Sequence, residues 1–154
     1  MRRTLFWVFV GLQALVPVAI AGMREADVAF GRHVLLHVEP VDPRDPFRGQ
    51  YVALRYDIAD LAPATTAEGD TVYVRLYENR NVWTGGYAAT DQPDDGTYIR
   101  GRIRRGQIEF GIEQFYVAEH EAGRYETALA ERRVYADVAL GHDGRATLRR
   151  LVIR

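Results

Sequence analysis

The chain has 154 residues, enough for a membrane segment and one domain of roughly 120 residues that can bury its own core. Its 20 basic and 21 acidic residues leave a formal net charge of −1, so no overall field draws nucleic acid or an anionic surface. All 20 basic residues are arginine, and lysine, serine and cysteine are absent; serine and cysteine nucleophiles, lysine Schiff bases, disulfides and thiolate metal sites are therefore excluded.

Arg2 and Arg3 precede residues 4–22, an apolar run whose one strongly polar member is Gln13. A helix over this run is about 28 Å long, close to the roughly 30 Å hydrocarbon core of a bilayer. The positive-inside rule then predicts a single-pass inner-membrane topology, with the N-terminus cytoplasmic and the rest of the chain exported. Pro17 is tolerated inside such a span. Ala19-Ile20-Ala21 also fits a signal-peptide site cleaved after Ala21. The length of the run favours an uncleaved anchor, as does the helix-forming continuation over 23–30 up to Gly31, a helix-ending residue. The expected organisation is an anchor helix over 1–30 and an exported domain over 31–154.

From residue 33 the pattern is β. Val34, Leu36 and Val38 share one face of a strand over 33–39. Residues 41–50 form a turn with Pro43 and Pro46, which fix the backbone and lack amide donors. Gly49 follows, then a strand over 51–58 with Val52, Leu54, Tyr56 and Ile58 on one face. Residues 61–69 read as a loop, and 71–77 as a strand turning at Asn79-Arg80-Asn81 into a hairpin partner over 82–88. An acidic loop over 90–96 leads to strands 97–104 and 107–112 around Arg105-Gly106. Residues 116–122 read as irregular, 125–133 as a short helix, and 134–140 with 145–153 as a hairpin across His142-Asp143-Gly144. The fold class expected is all-β, a mainly antiparallel β-sandwich or small barrel of about eight strands, with one N-terminal transmembrane helix and one short helix.

Gly49, Gln50, Tyr51, Leu54 and Tyr56 follow the pattern Gly-Asp-Tyr-x-x-Leu-x-Tyr, preceded by Val41-Asp42-Pro43-Arg44-Asp45. On these residues the chain resembles the bacterial GDYXXLXY family. The likeness continues through the N-terminal run, Gly101-Arg102, the tail to Leu151, and Phe115-Tyr116-Val117-Ala118-Glu119-His120, which is similar to a Tyr-Tyr-Val-Pro-Glu-Gly segment. Gln50 replaces the motif's aspartate, which removes a carboxylate from that position, while Ala118 and His120 replace the proline and glycine. The resemblance implies a membrane-associated protein that works beside polytopic membrane proteins, and it implies no particular reaction.

Asp42, Arg44, Asp45 and Arg48 are candidate binding residues, since guanidinium forks suit carboxylates and phosphates. The same charges serve equally well to hold the turn through local pairing and backbone hydrogen bonds. Tyr51, Tyr116 and Glu119 complete the candidate contact surface, while Pro43, Pro46, Gly49, Leu54 and Tyr56 are read as controlling backbone and core. His33 and His37, four residues apart on a strand, stand about 13 Å apart and cannot share an ion. Glu119, His120 and Glu121 resemble an acid–base group without a nucleophile. Arg100, Arg102 and Arg104 share a sheet face that suits lipid phosphates, an acidic partner or plain solvent. The tyrosines suit a ligand groove or, more simply, cross-strand packing.

The function expected is a non-catalytic binding or scaffolding module acting with a polytopic membrane-protein partner. It involves no cofactor, no metal and no nucleic acid. An envelope hydrolase using Asp45, Glu119 or His120 is the alternative, and requires the two carboxyls within about 10 Å of one another. A binder of small ligands or lipid, with an apolar tyrosine-lined cavity, is the third reading.

Overall fold

Alternating apolar residues build a curled β-sheet whose concave face holds the core. The computed structural model describes residues 13, 15–22, 31–39 and 51–154. Within these, β1 (Arg32–Glu39), β2 (Tyr51–Ala53) and β3 (Arg55–Tyr56) lead into a 3-10 turn over Asp57–Asp60. Then come β4 (Thr71–Asn79), β5 (Val82–Ala89), β6 (Thr97–Arg104), β7 (Gln107–Glu109) and β8 (Gln114–Tyr116). The helix α1 (Glu119–Ala130), β9 (Val134–Leu140) and β10 (Ala146–Ile153) complete the chain.

The main sheet runs in the order β10-β9-β1-β5-β4-β6-β7, with β3 pairing to β1 beside that path; β2 and β8 form a separate two-stranded sheet. The described strands therefore make one open curled sheet and a small ribbon, where a sandwich or small barrel was expected. Nearly all pairs are antiparallel, but β1 meets β5 in parallel through a single bridge, Leu36 to Trp83. On its other side β1 pairs with β9 continuously from Arg32–Leu140 to His37–Tyr135. Val34, Leu36 and Val38 point inward as the alternation requires, and so do Val72, Val74 and Leu76 of β4 and Ile99 and Ile103 of β6. Tyr56, Ile58, Ile108, Val134 and Val138 fill the same core.

Two hairpins close as the sequence predicts. Arg80 and Asn81 both have positive φ between β4 and β5, as do Arg105 and Gly106 between β6 and β7, which suits tight two-residue turns. The β9–β10 turn is longer than a two-residue Asp-Gly turn. Gly141 N–H donates to the Arg145 carbonyl at 2.9 Å, and Gly144 N–H donates to Gly141 at 3.0 Å. The tip of this turn docks on β6, where Arg100 N–H donates to the Gly144 carbonyl at 2.8 Å. A Cβ on Gly144 would stand 2.6 Å from the Tyr98 ring, so the absent side chain makes the docking possible.

Three sequence expectations change. The strand expected over 51–58 divides: its first part pairs with β8, its second with β1, and consecutive burial of Ile58 and Ala59 ends the alternation in the 3-10 turn. Residues 119–122, expected to be irregular, are the start of α1, and the helix expected over 125–133 ends at Ala130. Its N-terminal signal is missing because Ala118 has no side-chain oxygen to cap the helix. Its C-terminus closes where Arg133 N–H donates to Ala128 and Arg132 N–H to Leu129, both at 2.9 Å, with Arg132 at φ 55 in the place glycine usually takes. The strand count rises above eight because of the division and because β8 has no strong alternation of its own.

Residues 15–22 are helical. Residues 4–12 and 14 of the expected span and its continuation over 23–30 lie outside the described residues. Among the described residues no helix is long and apolar enough to cross a membrane.

Gly101 sits where β6 and the return through β7 approach most closely. A Cβ there would lie 2.3 Å from Ile108 Cγ2, 2.8 Å from the Glu109 carbonyl oxygen and 3.0 Å from Phe110. The backbone oxygen cannot yield as a side-chain end would. Gly101→Ala is expected to cost about 2–3 kcal/mol, seen as a lower urea midpoint with an unchanged slope.

Candidate binding surface at the paired motif segments

The Tyr-x-x-Leu-x-Tyr stretch is stitched to residues 112–116 over its whole length. From the core outward, the buried Tyr56 hydroxyl donates to the Ile112 carbonyl at 2.8 Å. Leu54 N–H donates to the Glu113 carbonyl at 2.8 Å. Beyond it Ala53 pairs with Gln114, Val52 with Phe115 and Tyr51 with Tyr116. Two of the segments that carry the family resemblance, far apart in sequence, thus form one structural unit.

Two-residue periodicity assigns the roles. Val52, Leu54 and Tyr56 face the core, and the Tyr56 ring meets Phe110 edge-on with centroids 6.4 Å apart. Burial pushes the Tyr56 hydroxyl well above its ordinary pKa, and the nearby Glu113 carboxylate pushes the same way. Tyr56 therefore serves as a neutral hydrogen-bond donor. Glu113 itself is held by the Phe110 N–H at 2.5 Å. On β8 Gln114 and Tyr116 face outward, Tyr116 73 % exposed, and Val117 then turns into the core. Leu54 and Tyr56 are both buried in the core.

The backbones of Tyr51 and Glu119 are placed at the start of β2 and of α1; their side chains lie outside the described residues. Asp42, Pro43, Arg44, Asp45, Pro46, Arg48 and Gly49 also lie outside them, so the Asp45–Glu119 pairing required by the hydrolase reading is not described. His120 is exposed on the first turn of α1. His33 and His37 go to separate partners, His33 to Asp137 at 3.5 Å and His37 to the Arg132 carbonyl at 3.2 Å. The aromatics are dispersed across strands. Tyr73 and Tyr98 meet edge-on at 5.8 Å, Trp83 packs against the core, and the Tyr87 hydroxyl accepts from Arg75 at 3.2 Å.

One group escaped the sequence reading. Directly after Tyr56, Asp57 begins the 3-10 turn with its Oδ1 buried and without a hydrogen-bond partner among the described residues. Burial raises its carboxyl above the usual range; the His37 charge and the Ile58 backbone amide pull against this, and Glu39 adds to it. Beside it Arg55 grips both oxygens of Asp60, at 2.8 and 2.6 Å, and Gln107 donates to the same carboxylate at 2.7 Å. The only signal in the sequence is the adjacent apolar pair Ile58-Ala59, which breaks the two-residue alternation directly after Asp57.

The GDYXXLXY protein family model matches residues 13–151, and the chain belongs to that family. No curated protein and no solved structure matches it.

Tyr56→Phe leaves the Ile112 carbonyl buried and unpaired. A loss of about 1–3 kcal/mol is expected in chemical denaturation, with the fold retained. For Asp57 the raised folded-state value means that its contribution favours folding in acid and is lost as pH rises through that value. Asp57→Asn should therefore raise the melting temperature at neutral pH, with the gain shrinking as pH falls toward 4. Melting curves across that range check the sign; an Asn variant less stable at pH 7 would contradict it.

Proposed function

We propose that this GDYXXLXY family member is held in the bacterial inner membrane by residues 4–22, with its N-terminus cytoplasmic and its β domain exported. It acts there as a non-catalytic binding or scaffolding module for a polytopic membrane protein. The single observation that carries the binding face is Tyr116. It is a large aromatic, 73 % exposed, on a ribbon set apart from the main sheet and paired with the motif tyrosine. Exposed aromatics on rigid backbone are the usual anchors of protein interfaces, because little side-chain freedom is lost on binding. The hydrogen-bonded ladder from Tyr56 to Tyr116 supplies that rigidity. The charged candidates Asp42, Arg44, Asp45 and Arg48 immediately precede β2 in sequence. An anchor supports such a module by raising its local concentration at the bilayer, where a weak contact suffices. Absence of serine, cysteine and lysine removes the common covalent nucleophiles and supports a non-catalytic role.

A photo-crosslinking residue placed at Tyr116 in the full chain, in its native membrane, should give a discrete adduct with a multi-span protein. The same residue at Glu78, exposed on β4, should give none. Tyr116→Ala should weaken recovery of that adduct partner about tenfold, as loss of an interface anchor does. Alkaline carbonate extraction tests the anchor separately, and a mature N-terminus at Gly22 would mean that the run is cleaved.

A further inference from the structure

The outer face of β6 carries Arg100, Arg102 and Arg104, because successive side chains of a strand alternate in direction. The β9–β10 turn docks beside them through the Arg100–Gly144 backbone bond. That docking brings Asp143 and Arg145 against β6. Arg100 and Arg145 both hold Asp143 Oδ2, at 3.1 and 3.0 Å. Each guanidinium has five N–H donors, so both keep donors free for a further acceptor while Asp143 fixes their direction. Arg102 is exposed and makes no ion pair among the described residues. Arg104 leans away to Glu68 at 3.8 Å.

These residues line a groove of about 910 Å³ between the β6–β7 edge and β10, with Glu109 as its other acid. Four arginines against two carboxylates leave it cationic in a chain whose overall charge is −1. Ile20, from the helical residues 15–22, also lines it. Ile20 lies at the C-terminal end of the apolar run, which is the outer boundary of the bilayer if that run spans it N-in. The groove then stands at the level of the outer-leaflet headgroups.

We propose that this groove binds the phosphate of an anionic phospholipid headgroup in the outer leaflet of the membrane holding the anchor. Arg102 and Arg145 contact the phosphate, and Arg100 serves as the fixed wall behind them. Guanidinium forks match phosphate oxygens in geometry as well as charge. The proposal rests on the anchor reading of residues 4–22 and is independent of the Tyr116 face.

The test uses the full chain in nanodiscs of phosphatidylcholine, with and without phosphatidylglycerol, reading lipid retained by native mass spectrometry. Preferential retention of phosphatidylglycerol is expected. Arg102→Gln with Arg145→Gln should lower that preference about tenfold, while Arg100–Asp143 keeps the turn docked and the melting temperature in pure phosphatidylcholine stays the same. Glu109→Gln, which removes an acid from the groove, should raise retention about twofold. An anchored chain with no preference for phosphatidylglycerol, or a preference indifferent to the double variant, overturns the lipid site alone. Equal displacement by free glycerol phosphate would assign the groove to a soluble phosphate, and displacement by polyglutamate to an acidic protein segment; either result overturns the lipid assignment. A chain that does not stay with the nanodisc overturns the anchor reading and this inference together.

Discussion

The backbone ladder between residues 51–56 and 112–116 is the constraint on which the rest of the domain depends. It begins in the core, where the Tyr56 hydroxyl satisfies the Ile112 carbonyl, and ends at the surface with Tyr51 opposite Tyr116. A buried carbonyl without a partner is costly, so the phenol fixes both the position of Tyr56 and the path of the chain after β7. The two ends of one short strand thus do different work. The inner end locks β3 onto β1 through Val38–Tyr56 and Glu39–Arg55, and the outer end carries a ribbon free of the main sheet.

This division accounts for the family motif in physical terms. Leu54 and Tyr56 are core residues, and Tyr51 is the ribbon residue opposite the exposed Tyr116. Gly101, in another stretch of family resemblance, admits the close return of β7. A motif of this kind specifies a surface by specifying the scaffold beneath it.

Much of the fold was legible because two-residue periodicity is a direct record of burial. Val34, Leu36 and Val38 of β1 and Val72, Val74 and Leu76 of β4 were readable for that reason, and so were the hairpins at Arg80-Asn81 and Arg105-Gly106. Pairing between distant strands leaves no such record. Nothing local to Tyr116 announces Tyr51 as its partner, and nothing local to Leu36 announces a parallel bridge to Trp83. The first turns of α1 were hidden because Ala118 gives no cap and the helix buries little beyond Ala128 and Leu129. Asp57 was hidden for a related reason: its burial follows from Ile58 and Ala59 turning inward together, which alternation does not foretell.

The place of β1 has a consequence for how the chain is made. It is the first of the described strands, yet its longest pairing is with β9, about a hundred residues later, while β3 covers only its C-terminal end and its contact with β5 is a single bridge. As the chain emerges from the ribosome, β1 presents an apolar strand whose β9-facing edge stays open until residues 134–140 appear. Such an edge invites pairing with other chains. The hairpins of β4 to β7 can form early from neighbours in sequence, but the sheet cannot be completed from its N-terminal side alone. A chain truncated before Val134 would keep β1 and lose the strand that covers its longest paired edge, so the β9–β10 hairpin is what closes the sheet over β1.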